Sequence, residues 1–291
     1  MYKAISANKR NTFLIMMVFI ILIGVIGWVV GFFYGDLNIA YFVIIFAAIY
    51  AFIQYFVATK LAIALTGAKQ IEKRDNPRFY RIVENLSITT GLQMPKVYII
   101  DDPAPNAFAT GRDPRHAVVA ATTGLIDIMT DRELEAVMAH EMGHVQNYDI
   151  RLSMITFGLV SAIGLLTDVV LRMFIFGDRD SDNNSPIAMI IGLVVIILAP
   201  IIAVIIQMAI SRQREFLADA TSVMTTRDTE SMASALEKLK THGRPMKKQN
   251  SASAHLFIAD PLKKSFMSKL FSTHPLLEER IARLRGNEGK F

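Results

Sequence analysis

The 291-residue chain contains no cysteine. A disulfide framework is excluded, and so is any metal site built on thiolate. A metal here has only imidazole and carboxylate to hold it. Also missing is a basic run interleaved with aromatics, so the net charge of +5 does not point to nucleic acid. No internal repeat is present. Charge is scarce in four long stretches, and there the 52% of hydrophobic residues is concentrated. Blocks of this kind mark a membrane protein rather than a greasy globule.

The apolar stretches cover residues 12–33, 39–58, 152–176 and 186–210. The first is uncharged, the second and fourth hold only Gln54 and Gln207 as strongly polar residues, and the third is interrupted by Asp168 and Arg172. Each reaches the ~20 residues a bilayer-spanning helix needs. The first outruns the ~7–15-residue apolar region of a signal peptide and is followed by no small-residue cleavage site. A second stretch begins five residues later, so the pair reads as a helical hairpin.

Positive residues gather on the cytoplasmic side of spans. Lys3, Lys9 and Arg10 precede the first span, Lys60, Lys69, Lys73 and Arg74 follow the second, Arg151 precedes the third, and Arg212 and Arg214 follow the fourth. Asp36 and the acidic, polar loop 177–185 lie on the other side. Both termini and both polar segments are therefore expected in the cytoplasm. The expected organisation is an N-terminal hairpin (1–59), half of a soluble domain (60–149), a second hairpin (150–210) and the other half (211–291). The two halves fold together.

Within the first polar segment, Asn76 and Pro77 supply an N-cap and a first-turn proline for a helix that stops at Gly91. Residues 96–100 and 116–120 read as buried strands, separated by turn residues at 111–114. Thr130 and Glu133 have capping-box spacing and open a helix carrying His140, Glu141 and His144. Residues 241–254 are rich in Lys, Ser and Asn and read as a mobile loop, exposed to self-cleavage.

His140 and His144 lie four apart, so a helix sets both imidazoles on one face, where they can share a metal ion. Glu141 is beside them, too close for a comfortable ligand but well placed to take a proton from zinc-bound water, whose pKa falls to about 7. With six histidines in the chain, chance produces this pattern in roughly 0.6% of such sequences. A catalytic zinc needs a third protein ligand. His274 and Glu215 are the candidates. Glu215 follows the fourth span by five residues and His144 precedes the third by eight, which brings both to one membrane face. Asp219, four residues beyond Glu215, would share its helix face and could orient a zinc histidine.

The segments 140–144 (HEMGH), 215–219 (EFLAD), 106–111 (NAFATG) and 272–275 (STHP) together resemble the HtpX-type membrane zinc peptidases, bacterial relatives of the CAAX prenyl endopeptidases. The resemblance covers nearly the whole chain. It implies four transmembrane helices with a cytoplasmic, mainly α (α+β), gluzincin-like zinc peptidase domain and a small β-sheet. It implies one zinc per chain on His140, His144 and Glu215, with Glu141 as general base. Asn106 and His274 would stabilise the oxyanion, and Arg280 would pair with Asp219 and brace the ligand helix. The strand at 116–120 would be the edge to which an extended substrate adds. Protein substrates, chiefly damaged or misassembled membrane proteins, would be cut at the cytoplasmic face of the bacterial cytoplasmic membrane.

Two other readings come from different classes. A transporter or scaffold with a vestigial metal motif lacks ionisable residues in spans one, two and four. An endopeptidase for one defined peptide would need more enclosing chain than four spans leave. Asp168 and Arg172 stand four apart, a spacing for pairing within the third span or for a polar groove. His116, His242 and His255 have no partner spacing and receive no role.

Overall fold

The computed structural model describes residues 2–34, 36, 38–156, 158–159, 212–250, 253–260 and 275–286, which fall into two units. The second pair of spans lies outside these residues beyond 159, as do Asp168, Arg172 and His274.

One unit holds most of α1 (Tyr2–Tyr34) and α2 (Asn38–Thr66). Asp36 Oδ1 accepts from the Asn38 backbone N–H at 2.9 Å and so starts α2. The two helices close where Gly24 faces Ile44: a Cβ at Gly24 would stand 3.0 Å from the isoleucine Cγ1. Ala47, Ala51 and Phe19 are buried there, while Tyr41, Phe42 and Phe52 stay more than 60% exposed. Apolar side chains all round a helix are what a lipid environment selects. Among the described residues, Tyr41–Thr66 is the one helix long and apolar enough to cross a membrane. α2 thus runs past residue 58 and past Lys60, until Gly67, at φ 72°, ends it.

The other unit joins residues 1–9 and 59–154 to those from Arg212 on. Its sheet has four strands in the order β1 (Lys69–Gln70), β2 (Lys96–Ile100), β4 (Val118–Thr122), β3 (Ala107–Thr110). β2 and β4 run parallel, and the outer pairings are antiparallel. α3 (Pro77–Thr90) has the expected Asn76 cap on the Phe79 N–H and a left-handed Gly91 at its end. α4 (Thr123–Ile128) follows β4 directly. α5 (Asp131–Gln146), α6 (Arg212–Thr226), α7 (Thr229–His242) and α8 (Leu277–Gly286) follow, and residues 149–156 and 158–159 are helical as well. Leu125, Leu134, Val137, Met138, Met232 and Leu236 form the centre of the core between sheet and helices.

Two expectations need correction. The strand placed at 116–120 begins two residues later, because Asp113 accepts the Arg115 and His116 N–H groups and winds Pro114–His116 into a 3-10 turn. That strand, β4, is paired on both sides, so it is not an edge. The edge beside it is β3. The segment 241–254 is also tied down where it is described. Met246 is buried, the Lys247 N–H donates to Asp102 Oδ2 at 2.7 Å, and Arg244 donates to the Pro103 carbonyl. Its polar composition reflects solvated side chains on an anchored backbone.

Candidate metal centre

The capping box opens α5: the Glu133 carboxylate accepts from the Thr130 N–H at 2.8 Å, and Thr130 Oγ1 accepts from the Glu133 N–H. Buried Leu134, Val137 and Met138 fix the inward face, and one to two turns on that face carries His140 and His144. Their Nε2 atoms stand 3.2 Å apart, with the rings edge to face. α6 packs closely against this turn because residue 143 is glycine. A Cβ there would lie 3.2 Å from Thr221 Cβ and 3.5 Å from Ala218 Cα. Ser222 Oγ adds a hydrogen bond to the Ala136 carbonyl at 2.6 Å.

This packing delivers Glu215, in the first turn of α6, to the two imidazoles. Its Oε2 is 3.7 Å from His140 Nε2 and its Oε1 is 3.5 Å from His144 Nε2. Zinc bonds of about 2.0–2.2 Å in a tetrahedron separate ligand atoms by roughly 3.3–3.6 Å. The two imidazole nitrogens are 3.2 Å apart, close to that spacing, and each faces a different oxygen of Glu215, at 3.5 and 3.7 Å, so the donors converge on one point. These three residues are the group among the described residues that could hold a metal ion.

Each imidazole is aimed by a carboxylate. His140 Nδ1 is 2.9 Å from Asp219 Oδ1, so its Nδ1–H donates there and Nε2 is left facing the centre. Arg280 grips Asp219 with both prongs, Nε to Oδ2 at 2.9 Å and Nη2 to Oδ1 at 2.6 Å, and its Nη1 lies 3.3 Å from Glu215 Oε2. Arg280 is fully buried although it sits on the amphipathic helix α8. His144 Nδ1 is 3.0 Å from Asp149 Oδ2. That contact depends on Tyr148, whose φ of 62° turns the chain back after α5.

The charges are balanced around this arrangement. Burial, with the Arg280 cation next in size, pushes the His140 pKa down to about 4 despite Asp219. His140 is therefore the neutral ring that ligation requires. Burial also opposes charge on His144, but the Asp149 hydrogen bond and the Glu215, Asp149 and Glu141 charges raise its pKa to about 9. The negative field there favours positive charge, and a divalent cation answers it as a proton does. Glu141 is buried beside them. Burial, helped by the Glu215 charge and opposed by His144, lifts its pKa to about 7, close to the ideal for a group that takes and returns a proton at neutral pH.

Glu141, His144, Arg214 and Glu215 line one cleft with His255 and Phe257. Asn106 immediately precedes β3 and is buried. Its side-chain amide is occupied by Ala259, donating from Nδ2 to the Ala259 carbonyl at 2.8 Å and accepting the Ala259 N–H at Oδ1 at 3.1 Å. Phe257 bridges to Phe108 and the Ile258 N–H donates to the Ala107 carbonyl at 2.9 Å, so the chain itself covers the β3 edge. Sequence reasoning missed Asp149, Arg214 and His255. A carboxylate five residues past His144 is a signal only once the turn at Tyr148 is known, and His255 enters the cleft wall through a bond to the Ser153 carbonyl.

The profile of peptidase family M48 matches residues 73–288. The protease HtpX homolog of Tropheryma whipplei is 56% identical over 290 residues, covering 99% of each chain. That of Streptococcus gordonii is 43% identical over 295 residues, covering 98% of this chain and 99% of its own. The crystal structure of Ste24p from S. mikatae shares the fold at a TM-score of 0.52 and 20% identity, over 89% of this chain. This chain spans 61% of that one.

Proposed function

This chain belongs to peptidase family M48, and on that premise we propose that it is an endopeptidase using one zinc ion held by His140, His144 and Glu215. It is a membrane-associated metallopeptidase. The observation that carries the ligand assignment is the convergence of His140, His144 and Glu215, whose donor atoms all lie within 4.8 Å of one another, beside a buried glutamate that is not one of the three. A scaffold with a decayed motif is not favoured, since such a protein has no use for two carboxylates aiming the two imidazoles.

Held by these three residues, zinc would supply a Lewis acid that makes water easier to deprotonate near neutral pH. Glu141 takes the proton from the attacking water and returns it to the leaving amine. Asn106, once released from Ala259, and His274 donate to the oxygen on which negative charge develops. Asp219 holds His140 in its ligating tautomer, and Arg280 holds Asp219. Substrates are protein chains, chiefly damaged or misassembled membrane proteins. Their cut segment adds to β3 in extended form, displacing the stretch around Phe257. The chain crosses the bacterial cytoplasmic membrane four times, at 12–33, 39–58, 152–176 and 186–210, with termini and active site in the cytoplasm. Supporting this are the helices over the first two runs and the placement of lysine and arginine at the span ends.

The test is proteolysis by the full chain, purified in detergent. Chelated protein should leave casein intact, and added zinc should restore cutting. In proteoliposomes, a membrane protein with an unfolded cytoplasmic segment should be cut while its folded form survives. Cutting at full rate after chelation would overturn the metallopeptidase mechanism, and equal cutting of folded and unfolded forms would overturn the substrate assignment.

A further inference from the structure

Asn8 lies in the second turn of α1, 141 residues before Asp149, yet the two meet. Its Nδ2 donates to Asp149 Oδ1 at 2.6 Å and to the Asn147 carbonyl at 2.9 Å. An amide nitrogen carries two protons, so both bonds form together. Asn8, Asn147 and Asp149 are all at least 95% buried. The other oxygen of Asp149 faces His144 Nδ1 at 3.0 Å.

We propose that Asn8 is a positioning residue for the metal centre, fixing the Asp149 carboxylate and through it the ring plane and tautomer of His144. A carboxylate held at one oxygen can turn about its broad terminal torsion. A donor on the second oxygen removes that freedom. Among the described residues Arg214 also approaches Asp149, but its Nε is 3.7 Å from Oδ1, too far to direct it. Arg214 supplies charge and Asn8 supplies direction. The first helix of the chain is thereby part of the zinc site, although nothing around Asn8 in the sequence carries a metal motif. His140 has an equivalent arrangement in Asp219 held by Arg280, so both imidazoles are aimed by a carboxylate that is itself gripped.

The inference rests on the ligand assignment above, and the experiment separates the two. Zinc affinity is measured on the full chain in detergent by competition with a chromophoric chelator. Asn8→Asp keeps the shape and replaces the donor by an acceptor; Asn8→Ala removes both. Each should weaken zinc binding about 10-fold, the lower end of what outer partners of a ligand contribute. Asp149→Ala should weaken it at least as much, and adding Asn8→Ala to Asp149→Ala should change nothing further. Ser6→Ala, exposed two residues earlier, should match wild type. If Asn8 merely tied α1 to the end of α5, its variants would lower the melting temperature with the zinc affinity of folded protein unchanged. That result, or an equal further loss in the Asp149→Ala background, overturns this proposal alone. Wild type that binds zinc no better than His140→Ala overturns the ligand assignment and the proposal together.

Discussion

Arg280→Met removes the cation at the centre of the ion network while roughly keeping its volume. The side chain has no solvent exposure and holds Asp219 through bonds of 2.6 and 2.9 Å, with Glu215 3.3 Å away. Breaking a buried pair from one side strands its partner, at a cost of about 3–5 kcal/mol. At about 2–4 °C per kcal/mol for a unit of this size, the metal-free protein should melt roughly 6–20 °C lower. The assay is thermal unfolding in detergent with chelator present, so that only the protein's own charges contribute. Arg280→Lys keeps the charge but loses the two-pronged grip, and should fall between the two. The double variant Arg280→Met, Asp219→Asn should recover part of the loss, because the stranded charge has gone. A shift under about 2 °C for Arg280→Met, or a double variant as unstable as the sum of its parts, would refute the reasoning.

Glu133 gives a pH prediction. Burial raises its pKa, but hydrogen bonds from Lys238, Ser234 and Thr130 hold it at about 2 against an ordinary 4.5. A depressed carboxylate stabilises the fold above its unfolded pKa, so this contribution is complete above pH 4.5 and is lost as pH falls toward 2. Glu133→Gln should flatten that limb of a melting-temperature profile; an unchanged limb counts against it. Gly143→Val should push Thr221 and Ala218 away and move Glu215 off the imidazoles, at about 1–3 kcal/mol for overpacking. Elemental analysis should find zinc depleted; a full complement of metal would show the close approach to be dispensable. Phe257→Ala removes the ring packed on Phe108 and loosens the cover of the β3 edge. KM for an extended peptide should fall several-fold with kcat held, and an unchanged KM would place the substrate elsewhere.

The ligand helix was legible because its signals are local. The capping box, the apolar face and the pair of histidines all lie within α5. Glu215 was reached by arguing from span ends. The parts that stayed hidden depend on long-range geometry or rare backbone. Asp149 reaches His144 through the left-handed Tyr148, an uncommon conformation for a bulky residue. Asn8 arrives from the far end of the chain. β3 is four residues, all buried, so it lacks the alternation that marks a strand. β4 was recognisable as a buried run, but its place between β2 and β3 follows from a strand order that is not the chain order. The polar 241–254 segment shows that composition reports where side chains point and not whether the backbone is anchored.

The central claim is that His140, His144 and Glu215 hold zinc while Glu141 moves the proton. Zinc stoichiometry and casein cleavage, measured on the same purified samples of wild type, Glu141→Gln and Glu215→Ala, test it most directly. The account predicts one zinc per chain in wild type and in Glu141→Gln, cleavage only by wild type, and loss of both metal and activity in Glu215→Ala. Cleavage by Glu141→Gln, or a Glu215→Ala protein that keeps its zinc and its activity, would contradict it.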